Sequence, residues 1–248
     1  MAIHSPMVAG LPASSGMRER LIVALDVSSA AEAQKLVSRI GDAAGIYKVG
    51  LQLFTAEGPS IVRDLVSSGR RVFLDLKLHD IPTTVALAVK SAADLRVDML
   101  TLHASGGTAM LRAATEAAAG RLNLLAVTVL TSLSDEDMQE VGIAGRASDQ
   151  VLRMANLAQS AGCQGIIASP HESLMVRKAM GEGFAIVTPG IRPAGAETND
   201  QQRIATPTQA IINGASHIVI GRPITHAPDP AQAAQAIICE MEQARISR

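Results

Sequence analysis

RVFLDLKL, residues 71–78, is the stretch on which the fold turns. Its residues favour an extended chain, and a strand has a period of two, so Val72, Leu74 and Leu76 share one face while Asp75 and Lys77 share the other. The segments GPSIVRDLVSSG before it and TTVALAVKSAADL after it carry apolar residues at three-and-four spacing, the mark of an amphipathic helix. DMLTLHA (98–104) then returns to strand character. A strand, a helix and a second strand in this order form the unit from which parallel sheets are built.

Working outward, the same alternation covers the chain. LIVALDV (21–27) and IYKVG (46–50) precede the central run, while LLAVTVL (124–130), GIIAS (165–169), FAIVTPG (184–190) and HIVIG (217–221) follow DMLTLHA, which makes eight strand candidates. Helical stretches separate them, several ending at Gly69, Gly120, Gly162 or Gly214, and a last helix starts near Pro230. Eight near-continuous apolar strands alternating with helices predict a closed (β/α)8, or TIM, barrel of the α/β class. A doubly wound open sheet would want a GxGxxG turn after the first strand, and ALDVSSA has no glycine there. The longest connection, Thr131 to Ala147, is expected to hold a short helix, either as a lid over the barrel mouth or packed on its rim.

Residues 20–248 are therefore read as one catalytic domain, with 1–19 as a flexible extension rich in Ser, Pro and Gly. That extension lacks the apolar core of a signal peptide. No run reaches the roughly 18 apolar residues of a membrane span. Cys163 and Cys239 have no CxxC spacing and read as thiols of a reducing compartment, so a soluble cytoplasmic protein is expected. Lys plus Arg number 22 and Asp plus Glu 23, Trp is absent and Tyr47 is the sole tyrosine. A nucleic-acid binder would want a basic face or stacking aromatics, and neither is present.

Function is written where polar residues interrupt the apolar strands. Asp26 ends the first strand, Lys48 lies inside the second, Asp75 and Lys77 end the third, and Asp80 follows closely. All gather at the C-terminal mouth of the barrel, where two lysines against three aspartates can alternate and stay ionised. Burying five charges for stability alone is unfavourable, so the group reads as a catalytic network. His79 and His103 read as hydrogen-bonding structural residues, and no histidine or cysteine spacing suggests a metal site. A second cluster follows strands seven and eight, where TPGIRPAG (188–195) and GRPITHAPDP (221–230) place Gly190, Arg192, Gly221 and Arg222. Barrels hold phosphate at this position. Arg222 is the expected direct phosphate ligand, assisted by Arg192 and Gln201.

The runs LDLKLHDIPTTV (74–85), ALDV (24–27), YKVG (47–50), LHASGG (102–107), VLTS (129–132), VTPGIRP (187–193) and VIGRPIT (219–225) together closely resemble the bacterial type of the orotidine 5'-phosphate decarboxylase family. The resemblance runs from about residue 20 to the end. It implies a homodimeric barrel that converts orotidine monophosphate to uridine monophosphate and carbon dioxide with no metal or organic cofactor. It places the catalytic network on Lys48, Asp75, Lys77 and Asp80, the last reaching into the neighbouring subunit's pocket. It also implies ribose contacts from Asp26 and the partner's Thr84, a pyrimidine contact from Thr131, and a phosphate grip from Gln201, Arg222 and the Gly221 amide, with Arg192 close by. Thr83 departs from the family's Asn in the IPNT run. Within the chain, Pro82 fixes φ and Thr83 is expected to cap the helix that follows. Two other readings are a metal-dependent sugar-phosphate decarboxylase or lyase on the same barrel, disfavoured because Lys48 stands where such enzymes carry an acidic metal ligand, and a non-catalytic phosphate-ligand sensor, which has no need of the Lys-Asp network.

Overall fold

The computed structural model describes residues 16–193 and 205–246. Every strand expected from the sequence is a strand: β1 (Leu21–Ala24), β2 (Ile46–Gly50), β3 (Arg71–Leu78), β4 (Met99–His103), β5 (Asn123–Val127), β6 (Gly165–Ile167), β7 (Ala185–Thr188) and β8 (His217–Ile220). They pair in parallel in chain order, and β8 returns to β1 to close the barrel. The strands are shorter at their C-terminal ends than the apolar runs suggest. Asp26, Val129, Ser169 and Pro189 have left the ladder and belong to the mouth.

Two apolar layers hold the fold. Inside the barrel, alternate residues Ile22, Ile46, Phe73, Met99, Leu125, Val187 and Val219 pack on one another. Their outward neighbours, such as Val23, Leu74, Leu100 and Ile218, join the larger layer beneath the helices. Each buried aliphatic or aromatic side chain of this kind contributes about 1.5–3 kcal/mol. Gly165 lets β6 approach β7 closely, since a Cβ there would run into the backbone and side chain of Ala185.

The floor is tied by charge. Arg71 at the start of β3 bonds Asp98 at 2.7 Å and Glu19 at 2.9 Å, and Arg20 caps the carbonyls of Ala215 and Ser216 at 2.6 and 2.7 Å, stitching β1 to β8. His217 is buried within this floor. Burial, reinforced by the Arg20 and Arg71 guanidiniums, holds its pKa down to about 3. Residues 1–15 of the expected extension lie outside the described residues, whereas Met17–Arg20 form a helical turn whose Met17 is buried and whose Glu19 makes the Arg71 pair.

Two local readings need correction. β3 departs from a regular strand: Leu74 pairs with Leu100 but Leu78 pairs with Leu102, so β3 spends two extra residues between them, and Lys77 takes a left-handed φ of 50°. The helix after β3 (Pro82–Asp94) is not capped by Thr83, because Ile81 holds the N-cap position, Pro82 starts the helix and no side chain caps it. Asp80 instead accepts the Ile81 N–H at 2.6 Å. The connection after β5 does contain a short helix (Asp135–Glu140), closed by a reciprocal capping box between Ser134 and Asp137 and packed on the rim through the buried Met138.

Candidate active site

Four charged residues form an unbroken alternating chain across the barrel mouth. The Lys48 ammonium lies 3.0 Å from Asp26 Oδ1 and 3.8 Å from Asp75 Oδ2, and Lys77 Nζ lies 2.9 Å from both oxygens of Asp75. Inward parity on β2 and β3 delivers Lys48 and Asp75 one pleat above the apolar layer of Ile46 and Phe73, Asp26 stands two residues past Ala24 just beyond β1, and Lys77 comes from the irregular end of β3. The ends of the chain are wetter than its middle: the side chains of Asp26 and Lys77 are 61% and 30% exposed, those of Lys48 and Asp75 11% and 14%. The two buried members satisfy each other's charge, which makes their ionised forms tolerable away from water. Gly50, the last residue of β2, leaves room for the Lys48 head, since a Cβ there would sit 2.9 Å from Nζ.

Thr101 is a member that sequence reasoning missed. It points inward from β4, is completely buried, accepts the Lys77 backbone N–H at 2.8 Å and donates to Asp75 Oδ1 at 2.9 Å. Beside it His103 is half-buried, its ring centroid 5.5 Å from that of His79. Burial first, then His79 and Lys77, lower the pKa of His103 against the opposing pull of Asp75, so its ring is neutral around pH 7.

Two hollows meet at this chain. One, of about 180 Å³, is walled by Phe73, Val127, Val129, Ile167 and Val219, with Lys48, Asp75, Lys77 and Thr131 supplying its polar points. Its mostly apolar lining suits the faces of a ring, and its few polar points suit a ring's edge. The second, of about 400 Å³, is polar and is bordered by Asp26, Gly190, Arg192, Gly221, Arg222 and His226. Lys48, Pro189 and Val219 belong to both, so the hollows are two rooms of one cleft. Gly190 has φ of 80°, a turn that needs glycine, and beyond it Ile191 bridges Ala205 while the Arg192 N–H bonds the Ala205 carbonyl at 3.0 Å. Thr225 and His226, from a run quoted in the sequence but given no role there, also border the polar room.

The expected residues thus divide. Asp26, Lys48, Asp75, Lys77, Thr131, Arg192, Gly221 and Arg222 come together around the cleft. Gln201 lies outside the described residues. Asp80 and Thr84 are exposed and border neither room of their own chain. Next to them Ile81 and Leu87 expose large apolar side chains to solvent. Among the described residues no group of three or more His, Cys, Asp or Glu side chains converges as metal ligands, and no helix is long and apolar enough to cross a membrane.

Comparison with known proteins adds an independent line. The family model described as Orotidine 5'-phosphate decarboxylase / HUMPS matches residues 19–237. The orotidine 5'-phosphate decarboxylase of Moorella thermoacetica is 52% identical over 237 residues, 92% of this chain and 94% of that one. Among solved structures, the orotidine 5'-phosphate decarboxylase of Lactobacillus acidophilus superimposes with a TM-score of 0.81 at 38% identity, covering 90% of this chain and 99% of its own. That of Pyrococcus horikoshii OT3 gives 0.72 at 26% identity, with coverage of 90% and 99%.

Proposed function

The chain belongs to the orotidine 5'-phosphate decarboxylase / HUMPS family, and on that footing we propose that it converts orotidine 5'-phosphate to uridine 5'-phosphate and carbon dioxide without a metal or organic cofactor. The observation that carries this reading is the Asp26–Lys48–Asp75–Lys77 chain lying where an apolar, ring-sized room opens into an arginine-bordered one.

In this reading the pyrimidine enters the apolar room with Thr131 at its edge, the ribose meets Asp26, and the phosphate is gripped by Arg222, Arg192, Gln201 and the Gly221 amide. The bond from the ring to its carboxylate breaks, and the electron pair stays on the ring carbon. Lys77 stabilises that carbanion and then gives it a proton, so that the ring gains C–H where it lost carbon dioxide. Asp75 keeps the Lys77 ammonium aimed and crowds the departing carboxylate, while Lys48 links Asp75 to the ribose end. At an effective dielectric near 20 a pair of unit charges about 4 Å apart interacts by roughly 4 kcal/mol, so one contact matters but cannot supply a whole rate enhancement. Grip on the distant phosphate supplies the rest by aligning the ring.

The active unit is proposed to be a twofold homodimer in which Asp80 and Thr84 complete the neighbour's site. Their exposure, and that of Ile81 and Leu87 beside them, supports this placement. A divalent-metal mechanism would set a cation beside the Lys48 ammonium, and a mere phosphate sensor would have no use for a buried Lys-Asp chain. The deciding measurement is the fall in orotidine monophosphate absorbance with chelator-treated protein. Full activity is expected; activity that vanishes and returns only with magnesium would overturn the proposal.

A further inference from the structure

We propose that Thr101 is the positioning residue that sets the geometry of the Asp75–Lys77 pair, acting through both residues and touching neither the substrate nor the reacting atoms. The inference rests on the decarboxylase reading above and adds to it a residue outside the charged network.

The argument begins with the irregular end of β3. Val72 accepts the Asp98 N–H at the foot of β4, so in a regular strand the even residues of β3 bond β4 and the Lys77 N–H would face β2, which ends at Gly50. The two extra residues between Leu74 and Leu78 break that alternation, and Lys77 adopts φ of 50° with its N–H turned towards β4. A side chain on Cβ disfavours that left-handed conformation, so something must hold the backbone there. Thr101 Oγ1 does so by accepting the N–H at 2.8 Å. The same hydroxyl has one proton, and Lys77 N–H can only donate, so the direction of the remaining bond is fixed: Thr101 donates to Asp75 Oδ1 at 2.9 Å.

The result is a closed ring. It runs from the Lys77 amide to the Thr101 hydroxyl, to the Asp75 carboxylate, and back to Lys77 through the Nζ contacts of 2.9 Å. Both ends of the Lys77 residue, backbone and ammonium, are referenced to one oxygen on a neighbouring strand. Threonine suits the task because its β-branch restricts χ1 and favours strand conformation, so the hydroxyl is held before anything binds. Thr101 is completely buried and borders neither room of the cleft. It can therefore affect turnover only through the pair it holds.

The test is Thr101→Val, which keeps the shape and removes the hydroxyl, set beside Thr101→Ser, which keeps it. Losing a hydrogen bond to a charged group predicts a fall of about 10- to 100-fold in kcat for the valine variant. KM for orotidine monophosphate and affinity for uridine monophosphate, set at the far end of the cleft, should hold within about threefold. Serine should restore kcat to within about threefold of the parent. A valine variant as active as the parent, a loss confined to KM, or a serine variant no better than valine would each overturn the proposal. If the valine protein does not fold, Thr101→Cys, of similar size but with a weakly bonding thiol, takes its place with the same expected outcomes. Hydrogen exchange at the Lys77 amide supplies a readout that does not need turnover: protection should drop with valine and persist with serine. Unchanged protection overturns the positioning role, whereas an inactive parent protein with this exchange pattern sinks only the decarboxylase reading.

Discussion

Gly50→Ala should impair turnover while leaving the fold intact, and the reason lies in where one methyl group would go. Gly50 has φ of −98° and ψ of −174°, extended backbone that alanine accepts without strain. Its added Cβ would stand 2.9 Å from Lys48 Nζ and 3.6 Å from Asp26 Oδ1, beside the bond that joins them. To reach ordinary contact the ammonium must retreat by about 0.5 Å, which carries a 3.0 Å bond to the edge of hydrogen-bonding range. At an effective dielectric near 20, that lengthening weakens the attraction by about 1 kcal/mol at most, and loss of a hydrogen bond between charged groups adds about 1.5–3 kcal/mol if the contact breaks. The expected fall in kcat/KM is thus about 5- to 100-fold. Stability should hold or rise slightly, since replacing Gly by Ala at a compatible site removes unfolded-chain entropy worth about 0.4–1 kcal/mol. The assay pairs kcat/KM for orotidine monophosphate with thermal melting, and uses Gly183→Ala, whose Cβ would meet nothing within 4 Å, as the control. Gly50→Ala activity within about threefold of the parent at unchanged melting would refute the claim that the Lys48 head must sit where it does.

Mixing Lys77→Ala with Asp80→Ala protein tests the shared site: each parent should be nearly inactive, while freely exchanged subunits should regain up to about a quarter of full activity, because half the dimers carry one intact pocket. Exchange verified by mass without any recovery would place Asp80 in its own chain's site. Arg222→Ala should raise KM for orotidine monophosphate by about 10- to 100-fold yet leave turnover of the unphosphorylated nucleoside alone; equal losses on both would remove Arg222 from the phosphate end. His217 predicts acid sensitivity. Its folded pKa of about 3 lies below the ordinary 6.5, so the unfolded chain binds the extra proton between these values, and stability is full above pH 6.5 and declines as pH falls towards 3. The slope attributable to this group is about 1.4 kcal/mol per pH unit, and His217→Gln should flatten the melting-temperature profile between pH 6.5 and 5. An identical profile in the variant would assign the acid sensitivity elsewhere.

The barrel was legible because its strands obey a short-range rule. Apolar runs of strand length, punctuated by helices, leave few ways to bury both faces of every strand, and the mouth is then wherever charged residues end the runs. Asp26, Lys48, Asp75 and Lys77 stood out because charge inside an apolar run is rare. Thr101 carries no such flag: in DMLTLHA a threonine is simply a good strand residue, and only its inward parity with Met99 and His103 hinted at the interior. Thr83 was misread because Pro82 permits helix to begin two residues earlier, which leaves Ile81 at the cap. The face presented by Asp80 and Thr84 could not be read from spacing, because a turn after a strand has no periodicity to fix its direction.

The two extra residues in β3 also set what length changes this rim can accept. An even insertion leaves the in-and-out sequence of side chains untouched, so Asp75 still points inward and Leu76 and Leu78 still face the helices. Removing or adding a single residue between Leu74 and Leu78 would turn every side chain beyond it inside out, exposing leucines to the cleft and driving charges into the apolar layer beneath the helices. Removing both would mend the ladder and leave a tidier barrel, without the lysine that the irregular segment holds against Asp75. Descent with changes of length at this point is therefore confined to steps of two, and the shortest such step leads away from catalysis.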